Sequence, residues 1–208
     1  MDKATTGSKA EAILHGAMDV LLSEGLPHVS YDRVAQAAGV TRQLVRYHYP
    51  SHEALMLAVC EHLAATYREV LIASVSGKSG TERLGIFFDF YFDLLEGAAK
   101  PRDDQIYDAL LSLSARSDQI RTALRDQYQL LGTVLSHEIR QVHLSLPMEA
   151  CEELAYLLIT IMYGHWKMVA TLGMGESHKH IARRAMDRLL QSYLEDPTPQ
   201  PGGSVLKP

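Results

Sequence analysis

A chain of 208 residues, 47% hydrophobic and 22% charged, has the composition of an ordinary globular protein that can bury one good core or a small domain joined to a larger one. Its net charge of −5 offers no global attraction for nucleic acid, so any such argument must be local. Cys60 and Cys151 lie far apart with no metal-type spacing, and the longest uncharged run, 154–166, is shorter than the about 20 apolar residues of a bilayer span. With no signal-like start, the composition predicts free thiols in a reducing cytoplasm.

Along the chain, period-3.6 patterns recur and no alternating run bounded by turn residues predicts a strand. Residues 1–8 are polar and expected to fray. A first helix over 8–23 carries Ile13, Ala17, Val20 and Leu21 on one face, and Gly25 is a left-handed stop after it. Ser30 caps a helix ending at Gly39. Thr41 caps the next, which ends near Pro50 because the residue before a proline avoids helical backbone. Ser51 caps a long helix to 74, with Glu53 favourable to the dipole in its first turn.

After a loop at 77–80, an aromatic-rich helix spans 81–96, and 97–101 breaks it. Helices over 103–115 and 117–143 follow. A very apolar helix runs from Pro147 to 172, and a last one over 176–195 carries Ile181, Ala185, Leu189 and Tyr193 at fourfold spacing. Residues 197–208 hold four prolines and two glycines and are expected to be a disordered tail. The reading is all-α with nine helices. A unit over 1–50 precedes a larger bundle over 51–196.

Residues 28–55 carry the chemistry. In the helix beginning at Thr41, Leu44, Val45 and Tyr49 pack inward with Val34, Ala38 and Val40. Arg42, Gln43, Arg46 and Tyr47 are left on one outward stripe. Arginine and glutamine pair with guanine and adenine edges in the major groove, and Tyr47 and His48 reach phosphate or thymine methyl groups. Ser30, Tyr31 and Thr41 stand at helix N-termini, where phosphates bind favourably. Arg33 to His52 includes three arginines and no acid, so the charge changes sign at the motif. A merely solvated polar face is the plainer reading, but the small-residue Ala-Ala-Gly-Val turn and the acid-free stripe weigh against it.

This segment resembles the N-terminal domain of TetR-family transcriptional regulators, whose pattern is a Gly-Val-Ser turn, a Leu-Tyr-x-His-Phe run and a Ser-Lys-Glu-x-Leu helix start. Here the residues read Gly39-Val40-Thr41, Val45-Arg46-Tyr47-His48-Tyr49 and Ser51-His52-Glu53-Ala54-Leu55. The remainder agrees in helix number, lengths and size. Arg46 stands where the family usually has Tyr, which makes direct guanine readout the expectation there. His52 stands in place of the family's Lys and is a weaker phosphate partner, being mostly uncharged near neutral pH. The resemblance implies a nine-helix TetR-like architecture, an N-terminal helix-turn-helix and a C-terminal ligand-binding and dimerisation bundle.

Other patterns lead nowhere. Gly77-Lys78-Ser79 lacks the glycine a P-loop needs at 72, and His137-Glu138 lacks a second histidine at 141. His178, His180, His137 and His143 read as exposed helix-end histidines, so no metal, cofactor or catalytic group is expected.

In the larger domain, Phe88, Tyr91, Phe92, Tyr107, Leu111, Tyr128, Leu131, Tyr163 and Trp166 are candidates to line a mostly apolar pocket for a hydrophobic or aromatic ligand. For any one of them, ordinary core packing is the competing reading. Residues 151–172 are apolar on nearly all faces. Leu154, Leu158 and Met162, with Ile181, Ala185, Leu189 and Tyr193, are therefore the candidate interface of a homodimer.

The expectation is a cytoplasmic, homodimeric regulator: a repressor on a palindromic double-stranded operator, released by a small-molecule effector. It is no enzyme and has no membrane segment. The rival is a helical small-molecule carrier or enzyme whose N-terminal unit is structural.

Overall fold

The computed structural model describes residues 3–97, 103–175 and 177–197, with side chains from residue 9 onward. The elements are α1 (Lys3–Glu24), a 3-10 turn (Leu26–His28), α2 (Tyr31–Ala37), α3 (Arg42–His48), α4 (His52–Val75), α5 (Gly80–Tyr91), α6 (Asp104–Ser114), α7 (Asp118–Val142), α8 (Met148–Trp166), a π-helical turn (Lys167–Thr171) and α9 (Ser177–Glu195). Among the described residues there are nine α-helices and no strand, as the periodicity predicts. α1 starts at Lys3, earlier than residue 8. The expected tail at 197–208 lies, beyond Pro197, outside the described residues.

Packing divides the chain into two compact units, Met1–Thr66 with Pro101–Arg125, and Tyr67–Lys100 with Asp126–Pro208. The division falls inside α4 and inside α7.

In the first unit, Ile13, Ala17, Val20 and Leu21 of α1 are buried against Val34 of α2, Val45 of α3, and Leu55, Val59 and Leu63 of α4. Ile106 and Leu110 of α6 and Ile120 and Leu124 of α7 complete this core. Each buried Val, Leu or Ile among them stabilises the fold by about 1.5–3 kcal/mol relative to exposure. The steps of three and four between them make the helices amphipathic. Gly16 allows the closest approach: a Cβ there would stand 2.8 Å from the Ala38 nitrogen and 2.9 Å from the Ala38 Cβ.

In the second unit, Phe87, Phe88, Phe90, Tyr91 and Phe92 are all buried, with Leu135 and Ile139 of α7, Leu154, Ala155, Leu158 and Met162 of α8, and Met186 of α9. Ion pairs brace it. Arg83 donates two bonds to Glu138, at 2.7 and 2.9 Å, and Arg183 and Lys179 of α9 reach Asp89 and Asp93 at 2.8 and 2.7 Å.

α5 ends at Tyr91, short of residue 96. Asp93 takes left-handed backbone (φ 58), a conformation a short polar side chain tolerates, and the Leu94 N–H turns back to the Asp89 carbonyl at 2.8 Å. The apolar helix expected to run to 172 is α-helical only to Trp166 and ends in the π-helical turn.

Candidate nucleic-acid interface

Two side-chain caps set the helix starts. Ser30, in extended backbone, accepts from the Arg33 N–H at 3.3 Å and so starts α2. Thr41 accepts from the Leu44 N–H at 3.2 Å and starts α3. Between them Gly39 has φ +63, backbone that a side chain would strain. Ser51 accepts from the Ala54 N–H at 3.0 Å at the start of α4.

α3 is fixed from within. Val45 is fully buried and Leu44 half-buried. The Tyr31 hydroxyl donates to the Tyr49 carbonyl at 2.8 Å, and the Tyr49 hydroxyl donates to the Ala10 carbonyl of α1 at 3.4 Å. Burial raises the Tyr49 phenol above its ordinary pKa, so it remains a donor. Tyr31, one of the expected DNA contacts, is half-buried and uses its hydroxyl to brace α2 against the end of α3.

The outward stripe is present. Arg42, Gln43, Arg46 and Tyr47 are all exposed, Tyr47 at 74%. Ser30, Thr41 and His52 are exposed as well, while His48 is half-buried, its ring set edge-on to Tyr47 at 5.3 Å.

The charge pattern differs from the expectation. Arg33 is held by Glu24 through a two-nitrogen pair and donates to Gln36 at 2.6 Å; that pairing lowers the Glu24 pKa. Arg42 pairs with Asp32 at 3.2 Å. Of these three arginines, Arg46 alone has no ion-pair partner among the described residues. Glu24 and Asp32 fall just outside the acid-free window, so only the helix geometry reveals them. No spacing in the sequence signals these pairs.

The expected ligand residues separate. Phe88, Tyr91 and Phe92 are buried in the second unit, and Tyr128, Leu131 and Trp166 pack against the same core. The Trp166 indole N–H donates to the Tyr91 carbonyl at 2.7 Å, and burial raises the Tyr91 phenol pKa. Tyr67, which the sequence reading missed, joins this aromatic group at 6.3 Å from Phe90 and 6.0 Å from Trp166. Tyr163 is exposed, its ring under the Lys167 ammonium. Tyr107 and Leu111 pack against the core of the first unit.

Of the expected dimer residues, Leu154, Leu158 and Met162 are buried within the chain's own second core. Leu189 and Tyr193 are half-buried against that core, Tyr193 donating to Glu153 at 3.0 Å. Ile181 and Ala185 are exposed, as is Tyr156 of α8, which periodicity alone did not single out. Among the described residues no three His, Cys, Asp or Glu side chains gather as a metal ion needs, and no helix is long and apolar enough to cross a membrane.

With this geometry in hand, the chain can be set beside known proteins. The family described as bacterial regulatory proteins of the tetR family matches residues 13–59. No curated protein sequence matches the chain. Its fold is similar to that of a TetR transcription regulator from Haloarcula marismortui (TM-score 0.76, 16% identity, covering 89% of this chain and 98% of that one). It is also similar to a transcriptional regulator from Rhodococcus sp. Rha1 (TM-score 0.73, 19% identity, 88% and 96%). A third similar structure, described as a transcriptional regulator from Saccharomonospora viridis, was solved in complex with choline (TM-score 0.73, 19% identity, 91% and 97%).

Proposed function

We propose, from the similarity of residues 13–59 to the tetR family of bacterial regulatory proteins, that the chain is a ligand-responsive repressor acting as a homodimer on a palindromic operator. The single observation that carries the DNA-binding part is the exposed Arg42–Gln43–Arg46–Tyr47 stripe on a capped and internally braced helix. Residues 1–50 grip the duplex, and residues 51–196 take up the effector and the second copy. A twofold dimer presents two α3 helices to successive major grooves.

The effector is a small, largely apolar or aromatic molecule. The aromatic group around Tyr67, Phe90, Tyr91 and Trp166 supports that class, and the choline complex of the Saccharomonospora viridis structure supports effector binding in this fold. Effector binding shifts α4, whose N-terminus follows α3 after three residues, 49–51, and the paired α3 helices lose their spacing. Effector and DNA then weaken each other by the same factor. The protein works in the cytoplasm and performs no catalysis.

Selection from a random duplex pool tests the reading. A regulator enriches a palindrome. A carrier or enzyme with a structural N-terminal unit enriches nothing, even at low salt where phosphate contacts are strongest.

A further inference from the structure

We propose that Asp32 is a specificity-determining residue: by holding Arg42 it keeps that arginine's charge from being used on the phosphates of non-operator DNA. This inference rests on the DNA-binding reading above. Both oxygens of Asp32 accept from one nitrogen of Arg42, Nη1, at 3.2 and 3.4 Å. The side chains are 60% (Arg42) and 67% (Asp32) exposed, so the pair stands open to an approaching duplex. Asp32 lies in the first turn of α2 and Arg42 opens α3, so the pair bridges the starts of the two helices of the motif.

The use of a single nitrogen decides the consequence. With Nη1 taken, the other edge of the guanidinium, Nε with Nη2, still offers the two-donor fork that matches guanine O6 and N7. Binding that reads a guanine there keeps the ion pair intact. Binding that uses Arg42 only as a counter-ion to phosphate either breaks the pair or sets the phosphate's negative charge beside the Asp32 carboxylate, a repulsion that a neutral guanine edge escapes. The penalty therefore falls on sequence-independent binding, which is driven by phosphate contacts. Arg33 is held more fully, through Nε and Nη2, by Glu24, which leaves Arg46 as the stripe's unencumbered cation.

The test uses the full-length chain, a random-sequence duplex and the palindrome recovered by selection. Asp32→Asn is expected to tighten binding to the random duplex by about three- to tenfold at low salt, and to steepen its log–log salt dependence by about 0.9, one added phosphate contact. Affinity for the selected palindrome changes by less than about twofold, so discrimination falls. In an Arg42→Ala background the gain on random DNA disappears. Unchanged or weaker random-duplex binding by Asp32→Asn overturns the inference, and so does an equal gain without Arg42, which would make Asp32 a diffuse repellent. A wild-type chain that binds no duplex at all refutes the regulator reading itself and this inference with it, an outcome distinguishable from the variant's behaviour.

Discussion

Gly16 and Gly39 serve the same helix crossing for opposite reasons. At Gly16 the backbone is ordinary but the space is missing: any Cβ meets the Ala38 backbone nitrogen and Cβ. Gly16→Val is expected to lower stability by about 1–3 kcal/mol in urea titration, since neither α1 nor the turn can yield without shifting the other. At Gly39 the space is open and the backbone is left-handed, so Gly39→Asn should be tolerated better than Gly39→Val. Arg46, exposed and unpaired, should act on sequence and not merely on grip. Arg46→Ala is expected to weaken binding to the selected palindrome by about 1–3 kcal/mol while relaxing the preference at one base pair, read by repeating the selection with the variant. An equal loss on every duplex would reduce Arg46 to a backbone contact. His143 gives a pH signature. Burial lowers its pKa, so the folded chain favours the neutral ring and the unfolded chain takes up the proton first. Stability supplied in this way is complete above about pH 6.5 and is lost as pH falls below it. His143→Gln should flatten the decline in urea midpoint between about pH 7 and pH 5.

The helices differ in how openly their sequence announces them. α2, α3 and α4 are legible to the residue at their starts, because Ser30, Thr41 and Ser51 cap locally and a cap needs only its own turn. Thr41→Ala should accordingly cost about 1 kcal/mol of stability and weaken duplex binding, checked by thermal melts and gel shift on one preparation. The end of α5 is illegible because nothing in its aromatic run marks a stop. The helix ends where Asp93 turns left-handed and gives its carboxylate to Lys179, a residue remote in the chain. α8 is ambiguous for a related reason: apolar residues on every face suit a partner's surface, and a helix inside its own unit is equally apolar. Leu154, Leu158 and Met162 are that inner face, and Tyr156 marks the outer one. α7 is tied to α5 by the Arg83–Glu138 bond, and Glu138 is nearly buried. Removing it with Glu138→Ala strands a half-buried guanidinium and should cost about 2–3 kcal/mol in urea titration.

For the whole molecule, fold class and the exposed Arg42–Gln43–Arg46–Tyr47 stripe were readable because both follow from local periodicity. Charge partners, the split of the pocket residues and the outer face of α8 were not, because each depends on which distant segments meet. Tyr156 of α8 and the candidate interface residues Ile181 and Ala185 of α9 are exposed. Tyr156→Glu with Ile181→Glu is expected to yield monomers in sedimentation and to weaken binding to a palindrome more than to a single half-site. An unchanged sedimentation coefficient would place any self-association elsewhere. The division of packing inside α4 and α7 also bears on stability. Two compact units that share helices should unfold together, whereas effector titration should alter duplex affinity without melting either.

The two tyrosine hydroxyls that pin α3, Tyr31 to the Tyr49 carbonyl and Tyr49 to the Ala10 carbonyl, have a meaning for the lineage as well as for the molecule. They anchor the helix from its inner side, so the exposed positions 43 and 46 are free of packing duty. Descendants of such a chain can exchange those two letters one at a time while the helix that carries them stays where it is.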